Sequence, residues 1–302
     1  MEFLGFIRPD GSVGCRSHLL VISTDPTTDR LCLKVAGAVY NAVPVVCGPA
    51  KHQLFGDYLS AMINNPNAAG AVLLEPKPQG VGEKVAGEMS LIGKPVEVVD
   101  ISAAGGPVQA VARSTRAAMA IAREISTYRR QLSLFSRLTL GIIYKEDSKT
   151  ADLLLPCIQD IIENSNGRIV IAREVLNKKD KVNNLHAVKK LGIDDPVGRD
   201  RGLYELEFSP EPNEIMKSMI LKGVQVVLVA TGSSYSANNA LVPVVNITAD
   251  KNYYELMEDS IELNLSNLDY KRYDTKEYRL LIISEIIATA SGKLTKAEAL
   301  KI

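Results

Sequence analysis

Residues 223–248 read GVQVVLVATGSSYSANNALVPVVNIT, and the fold class turns on how this stretch is read. Val224 to Ala230 is β-branched and aliphatic with no polar alternation. A strand that shows one face to water alternates; a continuous apolar run suits a strand covered on both faces, as in the middle of a parallel sheet. The run stops at Thr231-Gly232-Ser233-Ser234, a loop of small residues whose amides and hydroxyls can face a ligand. Open α/β sheets bind ligands outside the carboxyl ends of their strands, so this loop is the expected place for a site. Successive amides and hydroxyls of this kind can cradle a carboxylate; a plain strand-to-loop turn is the alternative.

Moving outward, the same rhythm recurs along the chain. A helix over 211–222 feeds the strand. Earlier, apolar runs at 19–22, 43–46, 69–74 and 96–101 read as strands, separated by helical patterns near 31–39, 55–63 and 81–92. Gly105-Gly106-Pro107 then opens a long helix to about Tyr128, whose alanines (Ala110, Ala117, Ala118, Ala120, Ala122) suit close packing. The composition breaks at Tyr128-Arg129-Arg130-Gln131. A second series follows: strand 138–143, helix 152–163, strand 169–172, and late helices over 277–290 and from Thr295. Alternation at this spacing predicts βαβ crossovers. The expected architecture is therefore α/β, with two domains, 1–130 and 131–302. Each has a mainly parallel sheet flanked by helices, Rossmann-like but without a dinucleotide fingerprint. The lysine-rich segment 175–201 lacks an apolar period and reads as an irregular excursion with one short helix.

Composition narrows the function classes. At 302 residues the chain exceeds one typical domain. Lys plus Arg balance Asp plus Glu at 35 each, without a basic run, which argues against a nucleic-acid partner. Hydrophobic residues make up 46% and mean hydropathy is +0.03, as in an ordinary globular protein. No apolar run reaches the roughly 18 residues of a membrane helix, and the opening MEFLGFIRPDG does not read as a signal peptide. Cys15, Cys32, Cys47 and Cys157 are scattered without a Cys-x-x-Cys pair, which fits a reducing, cytoplasmic location.

No Walker A loop, G-x-S-x-G elbow or H-E-x-x-H helix is present. Candidate chemistry rests on single residues. His18, beside Arg16 and Ser17 at the start of a strand, can serve as a general base or metal ligand, or simply be a hydrogen-bonded strand-end histidine. Glu174, at a strand's carboxyl end, can bind a metal or move a proton, or pair with Arg173 at the surface. Asp25 reads as a helix cap beside Thr27 and Thr28. His52 sits in a Cys47–His52 loop after a strand, and His186 reads as exposed.

Several stretches together resemble one family. GFIRPDGSVGCRSHLLVIST (5–24) is similar to the entry motif of the altronate/galactarate dehydratases and sulfolactate sulfo-lyases. Asn65-Pro66-Asn67-Ala68-Ala69-Gly70 resembles the segment before their third strand. Arg201-Gly202-Leu203-Tyr204 resembles a Gly-Leu-x-Phe lead-in, Val229-Ala230-Thr231-Gly232 a Thr-Thr-Gly-Arg-Gly loop, and Ala288–Lys293 with Glu298-Ala299-Leu300 the family's ending. There are departures. Leu74-Glu75-Pro76 stands where the family carries Gly-Cys-Glu, Tyr144–Ser148 where it carries Cys-Gly-Gly-Ser-Asp, and Ser233-Ser234 where it carries Arg-Gly. The lysine-rich excursion replaces a long Asn- and Gly-rich insertion.

The resemblance implies a hydro-lyase acting on a sugar acid or related 2-hydroxy acid, assisted by a divalent metal, typically Fe2+. Within it, His18 and Glu174 are the expected acid/base or metal-ligating groups. Arg16 with Thr231, Gly232, Ser233 and Ser234 is the expected carboxylate clamp. A small N-terminal-type partner subunit and a homo-oligomer are further expectations. The alternative, from another class, is a paralogue without turnover that binds a small carboxylate or serves as a subunit.

Overall fold

The computed structural model describes residues 1–47, 55–78, 80–145, 149–174, 188–192, 197, 200–207, 209, 211–230, 238–267 and 275–300. In chain order its elements begin with β1 (Glu2–Ile7), β2 (Val13–Gly14), β3 (His18–Ser23), α1 (Asp29–Ala38), β4 (Ala42–Val45) and α2 (Phe55–Asn64). There follow β5 (Ala68–Glu75), α3 (Val81–Leu91), β6 (Val96–Asp100), α4 (Pro107–Ile125) and β7 (Arg130–Leu134). The second series is β8 (Thr139–Lys145), α5 (Lys149–Ser165), β9 (Arg168–Glu174), β10 (Val188–Lys190), β11 (Gly202–Leu206) and α6 (Pro212–Leu221). It closes with β12 (Val226–Ala230), β13 (Val244–Thr248), α7 (Lys251–Met257), β14 (Leu263–Asn264), α8 (Thr275–Ala290) and α9 (Lys296–Leu300). The chain divides into two units, one Phe6–Gln131 and the other Met1–Gly5 with Leu132–Ile302.

The first unit holds a four-stranded sheet ordered β4-β3-β5-β6, with every pair parallel. The chain steps from β3 through α1 to β4. It then crosses back over β3 to place β5 on the far side, so the strand order reverses between β3 and β5. β5 is buried along its whole length, which is why it reads as an unbroken apolar run. One face carries α1 and α4: Leu19 and Val21 of β3, with Val72 and Leu74 of β5, pack against Cys32, Val35, Ala110, Ala118 and Ile121. Gly70 lets α4 sit that close, since a Cβ there would stand 2.6 Å from the Ile121 side chain. The other face carries α2 and α3. Alternation along the strands therefore turns Glu75 and Asp100 away from the α1/α4 core and toward α3.

The second unit holds a seven-stranded sheet ordered β10-β11-β9-β8-β12-β13-β14, parallel throughout its recorded pairs. From β8 the chain adds β9, then β10 at the edge and β11 between those two, and returns by α6 to lay β12 against the opposite side of β8. The order thus reverses between β8 and β12. β12 and β13 are buried at every residue. Helices α5 and α8 pack on each other and on this sheet. A third, small sheet is ordered β2-β1-β7, and its β1–β2 pair is antiparallel.

The α/β class and the parallel sheets agree with the sequence reading. Asp25 is a cap, as read: its carboxylate accepts the Thr27 amide at 3.0 Å. The excursion 175–201 is less irregular than its composition suggests, because Val188–Lys190 forms an edge strand parallel to β11. The remainder of 175–187, and the short helix expected in the excursion, lie outside the described residues. Among the described residues no helix is long and apolar enough to cross a membrane.

Candidate active site

The opening stretch leads to the reversal point of the larger sheet. β12 delivers the chain to Ala230, level with Tyr144 of β8, so Thr231-Gly232-Ser233-Ser234 leaves the sheet where ligand crevices form in open α/β folds. The loop itself lies outside the described residues. On the other side of β8, Glu174 ends β9 in register with Lys145. With strands about 4.8 Å apart, the end of β9 and the start of the loop lie about 10 Å from each other along one sheet edge. The structure therefore puts the Glu174 end of β9 and Ala230 at the end of β12 on the same edge of the same sheet. The Glu174 side chain is outside the described atoms.

Arg173, beside Glu174, is buried. It is 5% exposed, and its Nε donates to Glu205 Oε1 of β11 at 2.7 Å. Burial removes the guanidinium from water, so it takes a carboxylate on the neighbouring strand of the same sheet. Sequence reasoning missed Glu205; an acid in the next-to-last position of a short strand was the available signal.

Arg16 and His18 lie elsewhere, at the amino edge of the four-stranded sheet. Both are buried. His18 starts β3, and its amide donates to Asn67 O at 2.9 Å. Its Nδ1 lies 3.2 Å from Asn41 Oδ1. The Asn41 amide nitrogen donates to Ser17 O at 2.8 Å, which fixes the Asn41 carboxamide with its oxygen toward the ring. An oxygen there requires the proton on Nδ1, leaving Nε2 as the basic nitrogen of neutral His18. Arg16 donates to Cys15 O at 3.0 Å, and Asn67 Oδ1 accepts the amides of Cys15 and Arg16 at 2.8 and 3.2 Å.

Around them stands a buried cationic cluster. Arg8 donates from Nε to Pro66 O at 2.7 Å, from one terminal nitrogen to Ser17 Oγ at 3.3 Å and from the other to Arg16 O at 2.5 Å. Its guanidinium also lies over the Phe6 and Tyr128 rings. Desolvation, only partly offset by Tyr128 and Asp10, lowers its pKa to about 10. Lys94, 3% exposed, donates to Ile63 O at 2.6 Å and to Asn65 O at 2.9 Å. Desolvation, reinforced by Arg8, lowers it to about 7.

The carboxyl edge of this sheet is acidic instead. Glu75 ends β5 and is 1% exposed. Its Oε1 accepts the Gly82 amide in the first turn of α3. Desolvation raises its pKa, with Gly82 and Gly80 amides opposing and Glu83 and Asp100 adding to the rise. Asp100, its register partner on β6, accepts at Oδ1 from the Ser102 amide (2.8 Å), the Ser102 hydroxyl (2.7 Å) and the Ala103 amide (3.1 Å). Desolvation pushes Asp100 up, but these donors outweigh it and hold the carboxyl low.

Comparison with known proteins gives the ancestry. Residues 5–126 match the family model "D-galactarate dehydratase/Altronate hydrolase, second domain", and residues 164–302 match "D-galactarate/Altronate dehydratase, C-terminal". The chain belongs to the galactarate/altronate dehydratase family. Among curated relatives it is similar to the (2R)-sulfolactate sulfo-lyase subunit beta of Chromohalobacter salexigens, at 20% identity over 99% of this chain and 95% of that one. Among solved structures it is matched to a mutation variant of SsGBP, at 11% identity over 91% of this chain and 98% of that chain, with a TM-score of 0.20.

The family's entry motif has a structural use in this chain. Gly14 passes so close to the Asn65–Asn67 turn that a Cβ would stand 2.1 Å from Pro66 O. Arg8, Asn67 and Arg130 then tie the carbonyls and amides of residues 15 and 16 and of that turn together. A divalent metal, implied by the resemblance, can be tested against the donors present. Among the described residues no three His, Cys, Asp or Glu side chains cluster as a metal site, and Cys15, Cys32, Cys47 and Cys157 are all buried free thiols. His52 and His186 lie outside the described residues.

Proposed function

We propose that this protein is a lyase that eliminates water, or an equivalent leaving group, from a sugar acid or related 2-hydroxy acid. The observation that carries the reading is the reversal of strand order between β8 and β12. It supports the reading because Ala230, the residue before the Thr231–Ser234 segment, ends a strand beside that reversal, where open α/β sheets bind ligands, in a chain of the galactarate/altronate dehydratase family. Elimination of this kind takes the proton on C2, next to the carboxylate, and expels the group on C3; the resulting enol becomes a 2-oxo acid. The step asks for a base, an acid for the departing hydroxyl and a clamp on the carboxylate. In this reading Glu174 moves a proton, and the amides and hydroxyls of Thr231, Gly232, Ser233 and Ser234 hold the carboxylate. His18, basic at Nε2, and Arg16 remain the sequence-based candidates for an acid/base and a carboxylate ligand; both belong to the other unit, at the amino edge of its sheet. A divalent metal, Fe2+ by the resemblance, would supply Lewis acidity for the leaving group. A partner subunit is part of the proposal, supported by a relative that is named as a subunit.

A second reading is favoured by Ser233, which stands where the resemblance places an arginine able to grip a carboxylate with two hydrogen bonds. It holds that the chain binds a small carboxylate without turning it over. Thermal melts with aldonates, aldarates and sulfolactate, paired with Thr231→Val and Ser234→Ala variants, test the clamp. A ligand-induced rise in melting temperature that those variants lose supports it. No rise with any member of the panel sinks both readings.

A further inference from the structure

Charge balances over the whole chain but is gathered by sign in two places. Residues 107–129 hold four arginines and one acid, and residues 250–260 hold four acids and one lysine. We propose that these two surfaces meet between copies of this chain: the outer face of α4 in one copy docks on the acidic end of α7 in a second.

Helix periodicity assembles the first surface. One stripe of α4, from Ala110 to Ile125, is buried. The opposite stripe turns Ala112, Arg113, Arg116, Met119, Ala120 and Arg123 outward, and all six are exposed. Met119 is 53% exposed and Val108, one turn before Ala112, is 79% exposed. Among the described residues none of Arg113, Arg116 and Arg123 is in an ion pair. The cations here are all arginine, whose flat and weakly hydrated head suits an interface better than lysine does, and methionine shares that preference. Ala112 and Ala120 lack long side chains, so another helix can come close between the guanidinium groups.

The second surface is its counterpart. Asp250 caps α7 by accepting the Tyr253 amide at 3.1 Å. Glu255, Glu258 and Asp259 crowd the far end of the helix and the 3-10 turn Glu258–Ser260 that follows it, and all three are exposed. Leu256 stands among them, 81% exposed. Lys251 lies 3.8 Å from Glu255, and the Tyr254 hydroxyl donates to Glu258 Oε1 at 3.2 Å. Reach matches as well as sign. Arg113 and Arg116 are about 4.5 Å apart along the α4 axis, within the span of the neighbouring carboxylates Glu258 and Asp259. Leu256 then faces Met119 and the alanines, and that apolar centre keeps water from the ion pairs around it. Like charge prevents α4 from pairing with its own copy. Both surfaces lie outside the candidate site, and the proposal is independent of the lyase reading.

Sedimentation velocity of the full chain over about 1–100 μM reads the contact directly. Wild type should associate as concentration rises, and raising salt from about 0.05 to 0.5 M should weaken that association at least about tenfold. Arg113→Glu with Arg116→Glu makes both surfaces acidic, and Glu258→Arg with Asp259→Arg makes both basic. Each double variant alone should lose at least about tenfold in association with its melting temperature unchanged, because all four side chains are exposed. Mixing the two should restore association, since an acidic α4 then meets a basic α7 end. If one variant fails to fold, the other and the salt series still decide. A wild type that stays monomeric throughout overturns the proposal, including one whose α4 face is taken by a co-purifying subunit instead. So does a folded variant that associates like wild type, or a mixture that does not recover.

Discussion

Lys94→Met is the substitution whose consequence follows most fully from the structure. The Lys94 ammonium is buried between the Ile63 and Asn65 carbonyls, and desolvation and Arg8, opposed only in part by Asp10, lower its pKa from 10.5 to about 7. The unfolded chain keeps its proton up to the ordinary lysine range. Between pH 7 and 10.5 the unfolded state therefore binds more protons than the folded one, and stability rises with pH. Each pH unit in that window adds about 1.4 kcal/mol, so about 3 kcal/mol accrues from pH 7 to 9. Below pH 7 both states are charged and the cost of burial is paid in full. Lys94→Met removes the ammonium donor from Ile63 O and from Asn65 O, the latter keeping the Ala68 amide, costing about 1–3 kcal/mol, but removes the titration. Urea denaturation of both proteins at pH 6, 7, 8 and 9 should give a stability difference that widens in favour of wild type as pH rises. Parallel profiles would show that Lys94 folds in its charged form and would refute the desolvation argument.

Other perturbations test the packing and the site separately. Gly14→Ala should destabilise by about 3 kcal/mol in urea melts, because its Cβ would stand 2.1 Å from the rigid Pro66 carbonyl; a neutral result would mean that the Asn65–Asn67 turn yields easily. Glu205→Gln should cost about 2–3 kcal/mol by leaving the Arg173 guanidinium buried beside a neutral partner; a change near zero would show that Arg173 draws on other partners. Asn41→Gly keeps the left-handed backbone at that position (φ 60°) but removes the oxygen facing His18. Nitrogen-15 spectra of the ring should shift from the Nδ1-protonated tautomer toward a mixture, and an unchanged tautomer would show that Asn41 does not set it.

How much was legible follows from what each segment must satisfy. β5 and β12 are covered on both faces, so their burial is written as continuous apolar runs, and the α/β class came from them directly. β1 and β7 were not legible: each is short, half exposed and interrupted by Gly or polar residues, and they pair through long-range contacts that local pattern does not encode. β10 reads Val-Lys-Lys, an edge strand whose lysines are suited to a free edge and hide it in a charged segment. At the candidate site, the sequence pattern put Glu174 and Ala230 on strand ends, and only topology, with β8 between β9 and β12, puts those two ends on one edge. Glu75 was passed over as a departure from the family pattern. The signal was an acid closing a buried strand and, shortly after it, Gly80 and Gly82 at the start of a helix. His18 and Arg16 looked like strand-end chemistry. In the fold they share an amino edge where buried cations clamp backbone carbonyls.

The central claim is tested most directly by assaying 2-oxo acid formation. Purified protein would be incubated with aldonates, aldarates and sulfolactate, with and without Fe2+, Mn2+ and Mg2+, and with its partner subunit where one co-purifies. The account predicts that at least one member is converted to its 2-oxo acid, and that Glu174→Gln slows turnover by about 10²-fold or more while the melting curve is unchanged. Ligands that raise the melting temperature but yield no 2-oxo acid under any of these conditions would contradict it.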